Sequence, residues 1–441
     1  MPSVSYITLN VNNAEQFKRM VTAGATPNTS LYLAYGKPSP WANDASPDTP
    51  NTAISTIYDL WNIMIGGKKI TGNDIRHAIP RNNWATGTVY KQYDHRDTDM
   101  FNIADPIYVV TSAFSVYKCI SNNGGSASTI EPSAINSQNT IQTADGYIWK
   151  FMYNLSDQDL LRFTTTNYVP VKTLSSTDGT LQWLVQENAI NGGIHNIIVD
   201  NPGSNYSNSA NLIITVTGDG AGIQTLPTVN TAANTLQSIL VTSPGVGYSF
   251  ASISITGGGG SGAAATAIIS PPGGHGSDPV NELGGSYLVL NPQLIRDENG
   301  VLPASNDYRK IALLLNPLDA DGVTPTTNSA FFQGYTLATT GSGDYIADET
   351  VYQGKSLDES TFSATVLTWD SANGITQVIN AVGTPAAGTV VGVNSSTTRF
   401  LTSSIVGDLA KYSGQILYLD NLGPIIRAAD QTESFQILLK F

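Results

Sequence analysis

Glu433-Ser434-Phe435-Gln436-Ile437-Leu438-Leu439-Lys440-Phe441 closes the chain with β-type composition and no polar tail after it. Free termini fray unless something ties them down. A last residue as apolar as Phe441 is therefore expected to be pinned into a sheet, with Ile437 and Phe441 buried. The segments before it have the same character. Tyr412-Ser413-Gly414-Gln415-Ile416-Leu417-Tyr418-Leu419-Asp420-Asn421 and Gly423-Pro424-Ile425-Ile426-Arg427 read as strands set off by turn residues.

Composition agrees with a mainly β chain. Its 441 residues include 41 Gly, 22 Pro and 20 Tyr, a balance that favours strands and turns over long charged helices. The length predicts about two to four domains. Hydrophobic residues make up 41%, enough for ordinary cores, while charged residues are only 12%, about half the usual share. The polar surface must therefore be built largely from Ser, Thr, Asn and Gln, which suits large permanent protein interfaces that exclude charge from their centres. The net charge is −13, and no Lys or Arg occurs between Lys172 and Arg296. Phosphate recognition needs clustered basic side chains, so no nucleic-acid partner is expected. Cys119 is the single cysteine; no intrachain disulfide can form, and a small buried hydrophobe is the expected role. Met1-Pro2-Ser3-Val4 has no basic region leading into an apolar one, so no secretory signal is expected. No run approaches eighteen apolar residues, so no membrane span is expected.

Three helices are legible. Asn13 is placed to cap Ala14–Ala23, with Phe17, Met20 and Val21 on one face. Ser55 precedes the stripe Ile57, Leu60, Trp61, Met64 and Ile65, expected to end at Gly66-Gly67. Ser156 with Asp159 forms a capping box before Leu160, Leu161 and Phe163.

Between about Asn191 and Ser270 the chain repeats itself. Ile197-Ile198-Val199-Asp200-Asn201-Pro202-Gly203-Ser204-Asn205-Tyr206 returns as Ile239-Leu240-Val241-Thr242-Ser243-Pro244-Gly245-Val246-Gly247-Tyr248, a spacing of 42 residues. Each copy continues into an alternating strand (212–217 and 252–256) and a Gly turn (218–222 and 257–262). Pro-Gly is expected to make a tight reversal over which the Tyr closes. Two copies are too few for a solenoid, so the expectation is an inserted β module with pseudo-repeat symmetry, leaving through the linker Pro271-Pro272-Gly273-Gly274-His275-Gly276. A second insertion, 331–404, holds short β runs at 349–353, 363–369, 375–379 and 389–393, the pattern of a small antiparallel barrel. Ser371-Ala372-Asn373-Gly374 reads as a hairpin turn with Gly at the positive-φ position.

No stretch assembles a reactive site. Ser115-Val116-Tyr117-Lys118 has serine-lysine spacing, but that chemistry needs the Ser at a helix start, and the context is a solvent-edged strand. Asp94-His95-Arg96-Asp97-Thr98-Asp99 gathers three carboxylates, yet lacks a Gly turn and a distal Glu and contains Arg96; it reads as a charged surface loop. Asp319-Ala320-Asp321-Gly322 offers only two carboxylates. Gly257-Gly258-Gly259-Gly260-Ser261-Gly262 has no Lys after it and reads as a flexible turn rather than a phosphate loop. His77, His95, His195 and His275 show no paired spacing and no cysteine partners; His77 is assigned to packing. No catalytic, cofactor-binding or metal residue is expected, and no enzyme activity.

Several of these pieces carry a resemblance. Tyr32-Leu33-Ala34-Tyr35-Gly36-Lys37 leading into Pro40-Trp41, Asp59-Leu60-Trp61, Ala78-Ile79-Pro80-Arg81 with Trp84, Val116-Tyr117-Lys118-Cys119-Ile120, Asp145-Gly146-Tyr147-Ile148-Trp149 and Tyr308-Arg309-Lys310-Ile311-Ala312-Leu313-Leu314-Leu315-Asn316-Pro317-Leu318 run in one order. Together with the C-terminal strands, this order resembles the gene-eight baseplate wedge family of T-even-like contractile-tailed phages. The likeness covers about 1–185, 280–330 and 405–441. It implies a discontinuous, antiparallel β-sandwich-like core with a few short helices, interrupted by modules at 186–279 and 331–404. It further implies a virion structural part in the tail baseplate, assembled in the host cytoplasm. Such a part is a cofactor-free homodimer that contacts other wedge proteins and holds them in register. The competing expectation, from the β modules, Trp369 and the Tyr-rich repeats, is a tail-associated glycan binder or hydrolase. Hydrolysis would need two carboxylates about 5–10 Å apart. Asp200, Asp219 and Asp278 are the only acids between Ile190 and Val280, and none recurs at matching repeat positions.

Overall fold

A computed structural model describes residues 6–22, 29–304, 306–428 and 430–441. The chain is mainly β with a few short helices, and it forms two compact units. One comprises residues 1–15, 76–289 and 438–441; the other comprises 16–75 and 290–437.

The second unit is organised by a five-stranded sheet in the order Ala330–Phe332, Met64–Lys69, Leu31–Gly36, Asp307–Leu315, Gln415–Ile426, antiparallel at every step. Tyr32, Ala34, Ala312 and Leu314 project from one face onto Leu60, Trp61 and Met64, alternate residues meeting the helical stripe beneath. The helix is Ile54–Ile63, beginning before Ser55 and ending two residues short of the expected stripe. Met64 and Ile65 already belong to the next strand, and Gly66-Gly67 lies inside that strand instead of ending the helix. Both glycines are required by close approach. A Cβ on Gly66 would sit 2.5 Å from Phe331 O, and one on Gly67 2.6 Å from Leu33 O and 2.7 Å from the Phe331 ring.

The same unit contains a closed six-stranded barrel, Tyr335–Gly341, Ile375–Gly383, Ser360–Asp370, Thr350–Gly354, Gly388–Gly392 and Thr398–Ile405 in order around the wall. Its interior is filled by Leu337, Val351, Phe362, Val366, Val378, Val390 and Leu401. Gly374 has φ +65° in the hairpin turn where that conformation was expected. The first and last strands are neighbours, with Thr336 opposite Ile405, so the barrel's entry and exit adjoin.

In the first unit one sheet runs Ile437–Lys440, Tyr287–Leu290, Ile75–Pro80, Tyr168–Val171, and a second runs Tyr108–Val110, Ser115–Ser121, Ile148–Asn154, Ile141–Gln142. Ser156 caps the Asp157–Phe163 helix, its hydroxyl accepting from Asp159 N at 3.2 Å. The chain end differs from the single strand expected. It forms two pieces, Thr432–Ser434 and Ile437–Lys440, because Phe435 turns inward between them. Ile437 is buried, but Phe441 is only partly so.

The repeat folds into three antiparallel ribbons around one apolar core. Copy one supplies Ile194–Ser204, Leu212–Gly218 and Ala221–Asn230, and copy two Thr235–Val246, Ala251–Gly257 and Ser261–Ile269. The third strand of each copy pairs with the first strand of the other, and the middle strands pair together. This exchange is a pseudo-two-fold, and it places Ile194, Ile197 and Tyr206 in the same core as Leu236, Ile239 and Tyr248. The Pro-Gly pairs make no reversal. They continue the strands, with Gly203 and Gly245 both at φ +63°. Each Tyr instead covers a glycine of the other copy's end turn. A Cβ on Gly260 would lie 2.4 Å from Tyr206, and one on Gly220 2.5 Å from Tyr248. The Gly257–Gly262 turn is thus shaped by Tyr206 as well as flexible in composition. The helix expected over Ala14–Ala23 begins earlier, at Ile7, and runs to Thr22; Asn13 is an exposed interior position, not a cap, and Val11, Ala14 and Val21 are its buried residues. Ala23 and Met1–Val4 lie outside the described residues.

Candidate functional site

The residues singled out in sequence are for the most part occupied by structural hydrogen bonds. Ser115 donates to Asn154 Oδ1 at 2.7 Å, on a strand buried along nearly its whole length rather than edged by solvent. Asp94 takes Arg96 at 2.7 Å and Asp97 takes Lys91 at 2.8 Å, closing the acidic loop on itself. Asp321 accepts from Val323 N, Thr324 N and Thr324 Oγ1, which organises its turn. Asp200 accepts from Thr266, Asp219 from Ser249 and Phe250 N, and Asp278 caps the Pro279–Glu282 helix. Among the described residues, no group of three or more His, Cys, Asp or Glu gathers to hold a metal ion. No helix there is long and apolar enough to cross a membrane. Cys119 is fully buried, which pushes its thiol pKa up.

One buried ionic cluster was not foreseen. In the first unit Lys118 and Lys150 rise from neighbouring strands, opposite each other in register, toward Glu282, His275 and His195. Lys118 Nζ lies 2.8 Å from Glu282 Oε2 and 4.3 Å over the Tyr93 ring. Glu282 Oε1 accepts from Gly276 N at 2.7 Å and Asp278 N at 3.1 Å. Lys150 Nζ donates to Ser137 O and Gln138 O, both at 3.1 Å. The His275 ring stands edge-on to Tyr93, at 4.7 Å, and to His195, at 5.2 Å. The second half of the expected exit linker is therefore packed, with Gly274, His275 and Gly276 all buried.

Burial sets the protonation of this cluster. Desolvation lowers the Lys118 pKa, with Glu282 pulling the other way, and brings Lys150 down to about 8. Desolvation, followed by the Lys150 charge, takes His195 down to about 4, and His275 is pushed well below its ordinary value for like reasons. Both imidazoles are neutral at pH 7, and each has a buried Nδ1 without a hydrogen-bond partner. The arrangement ties the exit of the repeat module to the sheet beneath it. A sequence signal existed: Lys118 and Lys150 each interrupt a run of apolar residues on both faces of a strand, and Glu282 lies in a stretch without any basic residue. His77, also buried, bridges Gly285 O and Glu15 Oε2 at 2.8 Å each, a packing role as expected.

The second unit holds its charges in similar fashion. Arg309 forks onto Asp44, at 3.0 Å, and also meets Asp307 and Pro38 O. Arg427, almost fully buried, donates to Tyr35 OH at 3.0 Å and to Arg296 O. In the barrel Glu349 accepts from Ile346 N, Asn394 N, Ser395 N and Ser395 Oγ. Trp369 donates to Asp344 at 2.9 Å, and the Arg399 guanidinium lies 4.7 Å over its ring.

A cavity of about 220 Å³ opens in the first unit between Met100, Phe101, Ile103, Pro106, Tyr287 and Phe441, with Lys440 at its rim. Its lining is predominantly apolar, with Asn10, Asn102 and Ser286 as further polar members, and holds no acid or histidine.

Comparison with known proteins supports the resemblance over the N-terminal part of the chain. Residues 4–130 match the family model described as bacteriophage T4 Gp8. The chain is also 21% identical, over 188 aligned residues, to the baseplate wedge protein gp8 of Enterobacteria phage T4. That alignment takes in 35% of this chain and 56% of the relative, so the chain spans about half the length of the curated relative it matches. Both matches support the resemblance to the gene-eight baseplate wedge family.

Proposed function

We propose that this protein is a structural subunit of a phage tail baseplate wedge, located in the virion and assembled in the host cytoplasm. The observation that carries the reading is the match of residues 4–130 to the T4 Gp8 family model, reinforced by the alignment with the T4 wedge protein. In this role the chain works as a homodimer. It holds neighbouring wedge proteins in register and moves as a rigid part when the baseplate rearranges. No reaction is assigned to it. Residues 1–185, 280–330 and 405–441 form the wedge core, and 186–279 and 331–404 are modules inserted into it. Buried charge paired within each unit, as at Lys118–Glu282 and Arg309–Asp44, suits such a part, since loads are carried by packed elements rather than by mobile loops. The glycan reading draws little from Trp369, whose ring already lies under Arg399.

The test is electron cryo-microscopy of intact virions together with sedimentation of the purified chain at micromolar concentration. Density for this fold in the baseplate and a dimer in low and moderate salt are expected. A chain missing from the tail would overturn the wedge assignment, and a monomer would overturn the dimer.

A further inference from the structure

Two lysines in the second unit converge on one indole. Lys37 Nζ lies 4.4 Å from the Trp41 ring centroid and Lys310 Nζ 5.6 Å from it. Lys310 is only 7% exposed. Neither ammonium has an ion-pair partner within 4 Å among the described residues, in a chain of net charge −13 where acids outnumber bases. The neighbouring Arg309 is by contrast saturated by Asp44 and Asp307.

The corner is held rigidly. Trp41 donates from Nε1 to Leu422 O at 2.9 Å and from its backbone N to Asp44 Oδ1 at 2.7 Å. Lys37 has φ +62°, a left-handed conformation that a side chain with a Cβ rarely adopts. Its backbone N donates to Ile63 O, at the end of the Ile54–Ile63 helix, at 3.0 Å, and its ammonium reaches Ser39 Oγ and Pro40 O. Burial lowers the pKa of both lysines; at Lys37 Arg309 adds to this and Asp44, already engaged by Arg309, opposes it, and Lys37 adds to it at Lys310. Asp59 acts on Lys310 in the opposite sense but does not reach it. The adjoining helix face is apolar and open: Ile54 is 70%, Ile57 40% and Tyr58 49% exposed, and Tyr412 packs edge-on against Tyr58 at 5.0 Å.

We infer that Lys37, Lys310 and Trp41 form a carboxylate-binding corner that receives an acidic segment of a neighbouring protein. The exposed face of the Ile54–Ile63 helix takes the apolar residues of that segment. Charge complementarity selects the occupant. A carboxylate between the ammoniums relieves their mutual repulsion, and the indole supplies a low-dielectric wall that strengthens the contact. The inference rests on this surface alone, independently of the baseplate reading.

The test uses the full chain with its lysines ¹³C-dimethylated, a modification that keeps the charge. It is titrated by NMR with a capped Leu-Glu-Glu-Leu peptide, with its Gln-for-Glu analogue and with inorganic phosphate. The Glu peptide is expected to shift the Lys37 and Lys310 resonances and the Gln peptide to leave them in place. In the unmodified protein, calorimetry should show at least tenfold weaker binding for the double variant Lys37→Gln, Lys310→Gln, and tighter binding for Asp59→Asn, which removes the carboxylate that acts on Lys310. Lysine resonances that stay still, or that respond equally to both peptides, would overturn the inference. So would phosphate binding as tightly as the Glu peptide, which would mark a generic anion site. Should the double variant fail to fold, the titration of the parent chain still decides.

Discussion

Removing Glu282 should weaken the base of the repeat module more than removing its partner Lys118. Breaking a buried ion pair costs about 3–5 kcal/mol, because the remaining charge is left without compensation. The two deletions are not equivalent. In Lys118→Met, Glu282 keeps the Gly276 and Asp278 N–H donors at 2.7 and 3.1 Å, and the new side chain still packs on Tyr93. About 3 kcal/mol is expected. In Glu282→Ala, Lys118 loses its carboxylate partner and the two backbone donors lose their acceptor, each orphaned donor adding about 1–3 kcal/mol. The total then exceeds about 5 kcal/mol, tempered by the ability of Lys118 to shed its proton. A gap of about 2 kcal/mol corresponds to roughly a 30-fold ratio. With two units a single unfolding free energy is poorly defined, so the assay is hydrogen exchange by mass spectrometry. Peptides from Ile194–Ser204 and Ser115–Ser121 report on the cluster, and the Ile375–Gly383 barrel strand serves as the reference within the same molecule. Exchange in Lys118→Met as fast as in Glu282→Ala, or parental exchange in both, would refute the reasoning.

Acid should loosen the same region. Because the folded pKa of His195 lies below the ordinary 6.5, at about 4, the unfolded chain binds more protons between these values. The stabilising contribution is present above pH 6.5 and lost as pH falls through 4, worth roughly 3 kcal/mol for this group. Melting temperatures across that range should fall less steeply in the double variant His195→Gln, His275→Gln, and an unchanged slope would exclude the cluster as the cause. Gly67→Ala should destabilise the five-stranded sheet by about 1–3 kcal/mol, since its Cβ would press on Leu33 O and the Phe331 ring; a denaturant midpoint like the parent's would contradict this. Excising 335–405 and joining the ends through a short Gly-Ser link should leave a soluble, cooperatively melting protein, because Thr336 and Ile405 are paired neighbours and the loop-closure cost is small. An insoluble product would mean that the five-stranded sheet depends on the barrel.

The sequence by itself determined what depends on local chemistry and simple periodicity. The barrel strands, the Gly374 turn, the Ser156 cap and the 42-residue repeat could be read from alternation, caps and self-similarity, because each is set by contacts a few residues apart or by identity between copies. The motif order also carried the resemblance that the comparisons support. Tertiary structure decided the rest. Whether Met64-Ile65-Gly66-Gly67 continued a helix or opened a strand depended on Leu33 and Phe331 approaching from two other strands. The Pro-Gly pairs stayed within strands because the opposite copy supplied a pairing edge, not because of their own turn propensity. Lys118, Lys150, Glu282 and the two histidines looked unrelated in sequence. They meet because two sheet strands and the module's exit converge, and charges can be buried there only where each long-range partner arrives in place. The Lys37–Trp41–Lys310 corner has the same origin: a helix end fixes one lysine, a neighbouring strand supplies the other, and no local pattern links them.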